Sequence, residues 1–169
     1  MTTTIRAAIE LRDGGDSSPG RLVGVLMRYG APGERGREEF APGALRWPAN
    51  GIRIDLGHGS APIAGRSAQP PIMRAVPVVS DDGAEVRIDA PLPDTHAARD
   101  LATLMRMDPP AYSGLSVEFH AVRSGYAGGR RVVQDALLKG AGLVDTPSYS
   151  DTSVEVRSGC APERRRVWL

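Results

Sequence analysis

Short stretches of alternating apolar and polar residues run through most of the chain and predict a mostly β protein. The alternation is clearest at Ile52–Leu56, where apolar side chains are separated by Arg53 and Asp55, and again at residues 84–90. Glycine and proline, with 20 and 14 residues, punctuate these stretches as turn residues do. The pattern predicts many brief strands joined by turns.

Five further stretches predict strands in the same way. Pro77 removes a backbone donor and so predicts that its strand lies at a sheet edge, paired with residues 84–90 through a turn. The two stretches nearest the amino terminus predict a hairpin or neighbouring strands. The five are residues 4–11, 21–27, 72–79, 112–123 and 131–144.

Two segments predict helices. Residues 40–45 open a predicted short helix, in which Pro42 suits the first position and which Pro48 and Gly51 end. Residues 95–107 predict a longer helix that Asp94 or Thr95 caps and two prolines end, with an apolar stripe of Ala98, Leu101 and Met105. The predicted fold class is therefore α+β, mostly β with one or two helices.

Composition narrows the classes of protein. The formal net charge is +1, from 21 basic and 20 acidic side chains, so no global field favours nucleic acid. Cys160 is the single cysteine, which excludes an internal disulfide and a cysteine zinc cluster. No apolar run approaches the ~18 residues of a membrane span. We expect one cytoplasmic domain, residues 1–157, with a basic tail at 158–169 and no cofactor or metal.

Ser116 is the most informative candidate for chemistry. As a strand, residues 114–121 place Ser116, Glu118 and His120 on one face and apolar side chains on the other. His120 lies roughly 13 Å along the strand from Ser116, too far to act as its general base. His58, at a strand end between glycines, and His96, near the helix start, remain candidates for the general base. The alternative is that Ser116 is a plain surface residue without a catalytic role.

Separated blocks of the chain resemble the prohead, or capsid maturation, serine proteases of tailed bacteriophages, which are related to the herpesvirus assemblin-type proteases. Each block is weak alone, but their order and spacing are specific, and the similarity extends over about residues 24–157. The blocks are Phe-Ala-Pro-Gly-Ala-Leu at 40–45, Ile-Asp-Leu-Gly-His at 54–58, residues 112–119 around Ser116, and residues 142–149.

The resemblance implies a small barrel-like or strongly bent antiparallel sheet and a catalytic triad. It makes Ser116 the nucleophile and His58 the general base. The position at which relatives carry an acidic residue is Gly140 here, so Asp145 is the nearest substitute for the third member. The other carboxylates considered for this role are Asp135, Glu118 and Asp55.

Further residues are expected around the triad. Glu118 and Gly114 would line the substrate groove. Backbone or side-chain donors for the oxyanion would come from residues 128–131, which include two glycines and two arginines.

The function implied by the resemblance is that of a serine endopeptidase of phage head maturation. It would cleave the scaffold or delta segment of the major capsid protein precursor and other internal proteins, inside the assembling prohead in the bacterial host. Self-cleavage and a homodimer are further expectations, whereas nucleic acid and membrane are not expected partners. Two alternatives stay open: an inactive protease-like assembly or scaffolding protein, and a plain β binding domain.

Overall fold

A computed structural model describes residues 18–33, 36–57, 70–145, 147 and 151–157. Within these residues the chain forms ten strands and one helix. In chain order they are β1 Arg21–Arg28, β2 Glu38–Phe40, β3 Leu45–Arg46, β4 Ile52–Leu56, β5 Met73–Ala75, β6 Val78–Val79, β7 Glu85–Pro91, α1 His96–Met105, β8 Gly114–Ala127, β9 Arg130–Val144 and β10 Ser153–Arg157. The fold is mostly β with one helix, and the described strands do not close into a barrel.

The first sheet has four strands in the order β10-β1-β7-β6, and its neighbours are antiparallel. Strand β1 pairs with β10 on one side and β7 on the other, so both of its edges are occupied along Arg21–Val25. The predicted strand at residues 4–11 lies outside the described residues.

The second sheet is organised around the long strand β9. The path runs β2-β9-β4-β5, and β3 and β8 also pair with β9. Strands β2, β3 and β4 run parallel to β9, whereas β8 is antiparallel to it. Strand β9 therefore lies between β4 and β8 at its carboxyl end, and this arrangement brings the candidate site together.

One apolar core lies between the sheets and the helix. Strand alternation explains it, because buried residues recur at every second position of β1, at Leu22, Gly24 and Leu26, and again at Ile52 and Ile54 of β4. The largest fully buried side chains are Phe40, Leu22, Leu26, Met27, Ile52, Ile54, Ile88, Leu92, Leu101, Leu115, Leu138 and Leu143.

The helix prediction at residues 95–107 is confirmed. Thr95 is the N-cap, and its hydroxyl accepts a hydrogen bond from the backbone N–H of Ala98 at 3.2 Å. The predicted stripe of Ala98, Leu101 and Met105 is buried against the core. Local signals were sufficient here because both the cap and the stripe lie within one segment.

The helix prediction at residues 40–45 is wrong. Phe40 ends β2, and the backbone N–H of Ala44 donates to the carbonyl of Ala41 at 3.0 Å, which closes a turn. Pro42 and Gly43, whose φ is +71°, occupy the two central positions. Proline followed by a glycine at positive φ is the signature of a type II turn. Here the turn connects β2 and β3, which both run parallel to β9.

The predicted strand at residues 72–79 divides into two. Met73–Ala75 pairs with β4 in the second sheet, whereas Val78–Val79 pairs with β7 at the edge of the first. The edge position and the turn after Ser80 are confirmed, the latter by a hydrogen bond from Gly83 N–H to the Ser80 carbonyl at 2.8 Å. Pro77 lies at the crossing, where its missing N–H disturbs no strand pairing.

Strands β8 and β9 form a hairpin longer than the predicted strands. They have 14 and 15 residues, and only Gly128 and Gly129 separate them. Both glycines have positive φ, +56° and +77°, as the two-residue turn of a hairpin with right-handed twist requires. Strand β10 was not predicted from the pattern, and the predicted basic tail at 158–169 lies outside the described residues.

Candidate functional site

Ser116 lies near the start of β8 and is buried, with 6% of its surface exposed. Leu115 on the preceding position faces the core, so alternation directs Ser116 to the other face of the second sheet. A buried serine on this face is not the surface residue that the polar pattern alone would suggest.

A row of three residues crosses the sheet at Ser116. Ser116 pairs with Gly142 of β9, and Gly142 pairs on its other side with Asp55 of β4. Register partners in neighbouring strands lie about 4.8 Å apart and share a face, so Ser116 and Asp55 are separated by about 10 Å at their Cα atoms. Because Gly142 has no side chain, β9 places nothing between them.

A second row lies beside the first and contains the charged groups. Glu118 pairs with Gly140, and Gly140 pairs with Arg53. The Arg53 side chain crosses Gly140: a Cβ built on this glycine would lie 2.9 Å from Arg53 Cγ. Gly140 thus lets the side chains of Arg53 and Glu118 meet over β9.

Arg53 joins two carboxylates. Its Nε donates to Asp55 Oδ2 at 2.8 Å, and its Nη2 donates to Glu118 Oε2. Burial alone would lower the pKa of the guanidinium, but the hydrogen bond of Asp55 and the charges of Glu118 and Asp55 outweigh it and raise that pKa. Arg53 is therefore a fixed positive charge in this cluster.

Asp55 is the most buried ionisable residue of the site, with 2% of its surface exposed. Arg53 satisfies its Oδ2, but its Oδ1 is buried without a hydrogen-bond partner in the described part of the chain. An unsatisfied buried acceptor costs about 1–3 kcal/mol, more when the group is charged. The alternation at Ile52–Leu56 suggested a polar face for Asp55, and its burial was not predicted.

His58 lies outside the described residues. Gly57, the residue before it, has its backbone N–H bonded to the Leu143 carbonyl at 2.8 Å. Leu143 pairs with Leu115, the neighbour of Ser116. At Gly57 the chain therefore leaves β4 beside β9, the strand that separates β4 from the strand of Ser116.

The other two histidines are far from this cluster or exposed. His120 is exposed and pairs with Leu137, beyond an irregularity in the β8–β9 ladder after Glu118. His96 is exposed at the first position of α1. Neither residue shares the row of Ser116.

The structure places Asp145 just after the end of β9, exposed to solvent. Its backbone carbonyl accepts a hydrogen bond from the Ser113 hydroxyl at 2.6 Å. It lies three positions beyond Gly142, which is about 10 Å along the strand and an odd number of alternations from the face of Ser116. Its role as third triad member stays a prediction.

Two further sets of predicted residues lie far from Ser116 along the β8–β9 hairpin. Asp135 lies seven positions from Gly142 along β9, roughly 23 Å, and forms an ion pair with Arg46 at 2.8 Å. Residues 128–131, expected to supply oxyanion donors, are at the far tip of the hairpin. That expectation is wrong, because twelve residues of extended strand separate Arg130 from Gly142, roughly 40 Å.

Gly114 and Glu118 flank Ser116 on the same strand face. Gly114 is buried, and a Cβ there would lie 2.7 Å from Pro147 Cγ and 2.8 Å from Thr152 Oγ1. Close packing thus explains the glycine by itself. Glu118 is half-buried and bound to Arg53, and the groove-lining role predicted for both residues stays a prediction.

The described residues also line a cavity of about 490 Å³ on the first sheet. Val25, Val78, Arg87 and Glu155 are among its lining residues, and none comes from β4, β8 or β9. In the part of the chain that the structure describes, no group of three His, Cys, Asp or Glu side chains could hold a metal ion. The one helix described is too short to cross a membrane.

Comparison with known proteins finds no relative: no family model, no curated protein and no solved structure matches this chain. The functional proposal is therefore based on the geometry around Ser116.

Proposed function

We propose that this protein is a serine endopeptidase in which Ser116 is the nucleophile and His58 the general base. The observation that carries the proposal is the position of Ser116. It is a buried serine on a sheet face, and β4, the strand that precedes His58, ends on the other side of β9, where the Gly57 N–H binds the Leu143 carbonyl. A serine nucleophile needs a base within hydrogen-bond reach, brought by a separate element.

The glycines of β9 support the same proposal. An extended peptide that approaches Ser116 must bring its backbone close to the sheet, and side chains on β9 would obstruct it. Gly142 lies opposite Ser116 and leaves the position between β4 and β8 without a side chain. The carbonyl to be attacked could therefore lie next to the Ser116 hydroxyl.

The proposed reaction is acyl transfer. Ser116 Oγ attacks the peptide carbonyl while His58 takes the hydroxyl proton, and His58 then donates that proton to the leaving amine. A water molecule, deprotonated by the same imidazole, attacks the ester and releases the carboxylate product and the free serine.

For the substrate and the fold type we propose those of the prohead proteases that the chain resembles. The substrate would be the scaffold or delta segment of the major capsid protein precursor, together with other internal prohead proteins. Capsid assembly would supply these chains in an enclosed volume at high local concentration. The two described sheets and single helix are compatible with the bent-sheet architecture of that class.

The test uses wild type, Ser116→Ala and His58→Ala. Each is incubated with the cognate capsid precursor, and cleavage is followed by mass spectrometry. In parallel, each is treated with a fluorophosphonate, which labels activated serines, and its intact mass is measured. We expect cleavage and single labelling by wild type and loss of both in the two variants.

Ser124→Ala is the matched control, because Ser124 is an exposed serine on the same strand. It should cleave and label as wild type does. Equal cleavage by all four proteins would contradict the assignment. A folded wild type that neither cleaves nor labels would favour the non-catalytic assembly protein, an alternative that the glycine at position 140 also suits.

A further inference from the structure

The middle of the β8–β9 hairpin presents apolar side chains to solvent. Val122 of β8 is 57% exposed and Leu137 of β9 is 36% exposed. Leu137 pairs with His120 of β8 and with Arg46 of β3, so these three residues share one face of the second sheet. The next residue of β9, Leu138, is fully buried, which identifies the face of Leu137 as the one turned away from the core.

Two irregularities of the β8–β9 ladder enlarge this exposed surface. One leaves Lys139 of β9 without a register partner, the other leaves Val122 of β8 without one, and both residues are exposed. Such bulges redirect side chains and blunt a sheet edge against the addition of another strand. In the described structure β8 pairs with β9 alone, so its free edge is protected in this way. A partner would therefore contact side chains of this face rather than extend the sheet.

The surface of this face carries mainly positive charge. We name it the hairpin patch, and it comprises the exposed residues Arg46, His120, Val122, Arg123, Leu137 and Lys139. The carboxylate beside it belongs to Asp135, and Arg46 binds both of its oxygens, with Nε on Oδ1 at 2.8 Å and Nη2 on Oδ2 at 3.0 Å. The Arg46 side chain is 61% exposed and that of Asp135 only 30%, so an approaching partner meets the cation first.

Two cations of the hairpin patch are not neutralised. Arg123 and Lys139 are exposed and form no ion pair with any residue in the described part of the chain. The carboxylates of neighbouring positions are engaged elsewhere: Glu118 of β8 binds Arg53, and the two glutamates of β2 form ion pairs with the two arginines that open β9. The hairpin patch therefore combines exposed apolar groups with two uncompensated positive charges.

We infer that the hairpin patch binds an extended, acidic segment of another protein, in which carboxylates flank an apolar side chain. The two uncompensated cations lie on either side of Leu137, because Arg123 pairs with Asp135, two residues before it, and Lys139 is two residues after it. Carboxylates of the partner would pair with these cations, and its apolar side chain would cover Leu137 and Val122. The inference concerns binding alone and does not depend on the proposed catalysis.

A nucleic acid is the competing anionic partner, and the composition of the hairpin patch argues against it. Proteins that bind single strands stack the bases on aromatic side chains, and the hairpin patch contains no tryptophan, tyrosine or phenylalanine. Tyr126, the exposed aromatic residue of β8, pairs with Arg131 nearer the hairpin tip. Aliphatic groups between the cations suit a polypeptide better than a sugar-phosphate backbone.

The probe is a fluorescein-labelled peptide of about eight residues in which glutamates flank a central leucine, long enough to exceed the roughly 13 Å between positions 135 and 139 along β9. Its binding to the full chain is measured by fluorescence anisotropy at physiological ionic strength. The comparison probes are the same peptide with lysine in place of glutamate and a single-stranded oligonucleotide of equal charge. We expect saturable binding of the glutamate peptide, at least about tenfold tighter than that of either comparison probe and weakened by added salt.

Variants locate the binding. Arg123→Glu/Lys139→Glu reverses the two uncompensated charges, and we expect it to weaken binding of the glutamate peptide at least about tenfold. Leu137→Ala removes the apolar contact and should weaken it at least about threefold. Arg99→Glu/Arg157→Glu is the matched control, because it changes the net charge equally at exposed side chains of α1 and the first sheet. It should bind the peptide within about twofold of wild type.

The charge variants change exposed residues only, so they test the inference even if Leu137→Ala does not fold. Failure of wild type to bind the glutamate peptide, unchanged affinity in a folded Leu137→Ala, or equal losses in the two double variants would each overturn the inference. Tighter binding of the oligonucleotide, with the same loss in Arg123→Glu/Lys139→Glu, would assign the hairpin patch to nucleic acid instead. Because no cleavage is measured, these outcomes are independent of whether Ser116 is a nucleophile.

Discussion

At the scale of single residues, Arg53 connects the charged groups of the candidate site. It binds Asp55 on its own strand and Glu118 two strands away, and its stem covers Gly140. A Cβ at position 140 would approach Arg53 Cγ to 2.9 Å. The glycine therefore accommodates the arginine, and any side chain at position 140 would compete with it for the same space.

Replacing Arg53 by methionine should destabilise the protein strongly. The change keeps an apolar stem but leaves the carboxylate of Asp55, whose side chain is only 3% exposed, buried without its cation. We expect a loss of about 2–4 kcal/mol in the free energy of unfolding, somewhat below the figure for fully buried pairs because the Arg53 side chain is 32% exposed. Urea denaturation measures it.

Arg46→Met is the control for this prediction. Arg46 makes an equally short ion pair with Asp135, but the Arg46 side chain is 61% exposed. Exposed pairs contribute about 0–1 kcal/mol, so its midpoint in urea should hardly move. Equal losses in the two variants would show that burial does not distinguish the pairs.

At the scale of elements, helix α1 and the β8–β9 hairpin show how far local signals reach. The helix begins where a threonine caps it and buries the stripe that its sequence predicts. The hairpin turns at two glycines with positive φ. Pro42 and Gly43 show the limit, because proline suits both the first turn of a helix and a type II turn. Only the glycine at positive φ distinguishes the turn, and φ is not visible in the sequence.

Thr95→Ala should destabilise the protein by about 1 kcal/mol, because it removes the side-chain acceptor of the Ala98 N–H at the start of α1. Thermal unfolding by circular dichroism measures this as a lowered Tm. Thr103→Ala is the control on the same helix: its exposed hydroxyl donates to the Arg99 carbonyl, a contact that adds no cap. If both variants lose the same stability, capping is not the cause.

At the scale of the whole molecule, the two sheets meet where β1 passes β8 at Gly24 and Leu115. A Cβ on Gly24 would lie 2.5 Å from the Ser153 carbonyl oxygen and 2.8 Å from Leu115 Cδ1. Leu115 is next to Ser116 on β8, so the packing between the sheets also supports the candidate site. Glycine at this position allows β1, β10 and β8 to approach closely.

Gly24→Ala should therefore cost about 1–3 kcal/mol, because a backbone oxygen and a buried leucine must both move. Gly125→Ala is the matched control in β8, where the added Cβ would meet only Gln134 Nε2 at 3.7 Å. Its stability should be unchanged or up to about 1 kcal/mol higher, since alanine loses less backbone entropy than glycine. Guanidinium denaturation of both variants checks the difference, and a neutral Gly24→Ala would contradict the close packing.

The sequence by itself determined what depends on neighbours along the chain. Alternation located β1, β4, β7 and much of the β8–β9 hairpin, and a cap with an apolar stripe located α1. The same alternation put Ser116 and Glu118 on one strand face, and the length of a strand residue put His120 too far from Ser116 to act as its base. These conclusions follow from the periods of strands and helices, which any short segment displays.

Only the tertiary structure decided which strands are partners and what each polar face meets. Alternation assigns a face but not a neighbour, so nothing local could show that β9 runs between β4 and β8 in a register that aligns Asp55, Gly142 and Ser116. The same holds for the burial of Asp55 and for Arg53 reaching Glu118 across Gly140, both of which depend on that register. Pairings between residues far apart in the chain arise from packing of the whole molecule, and in this protein they define the candidate site.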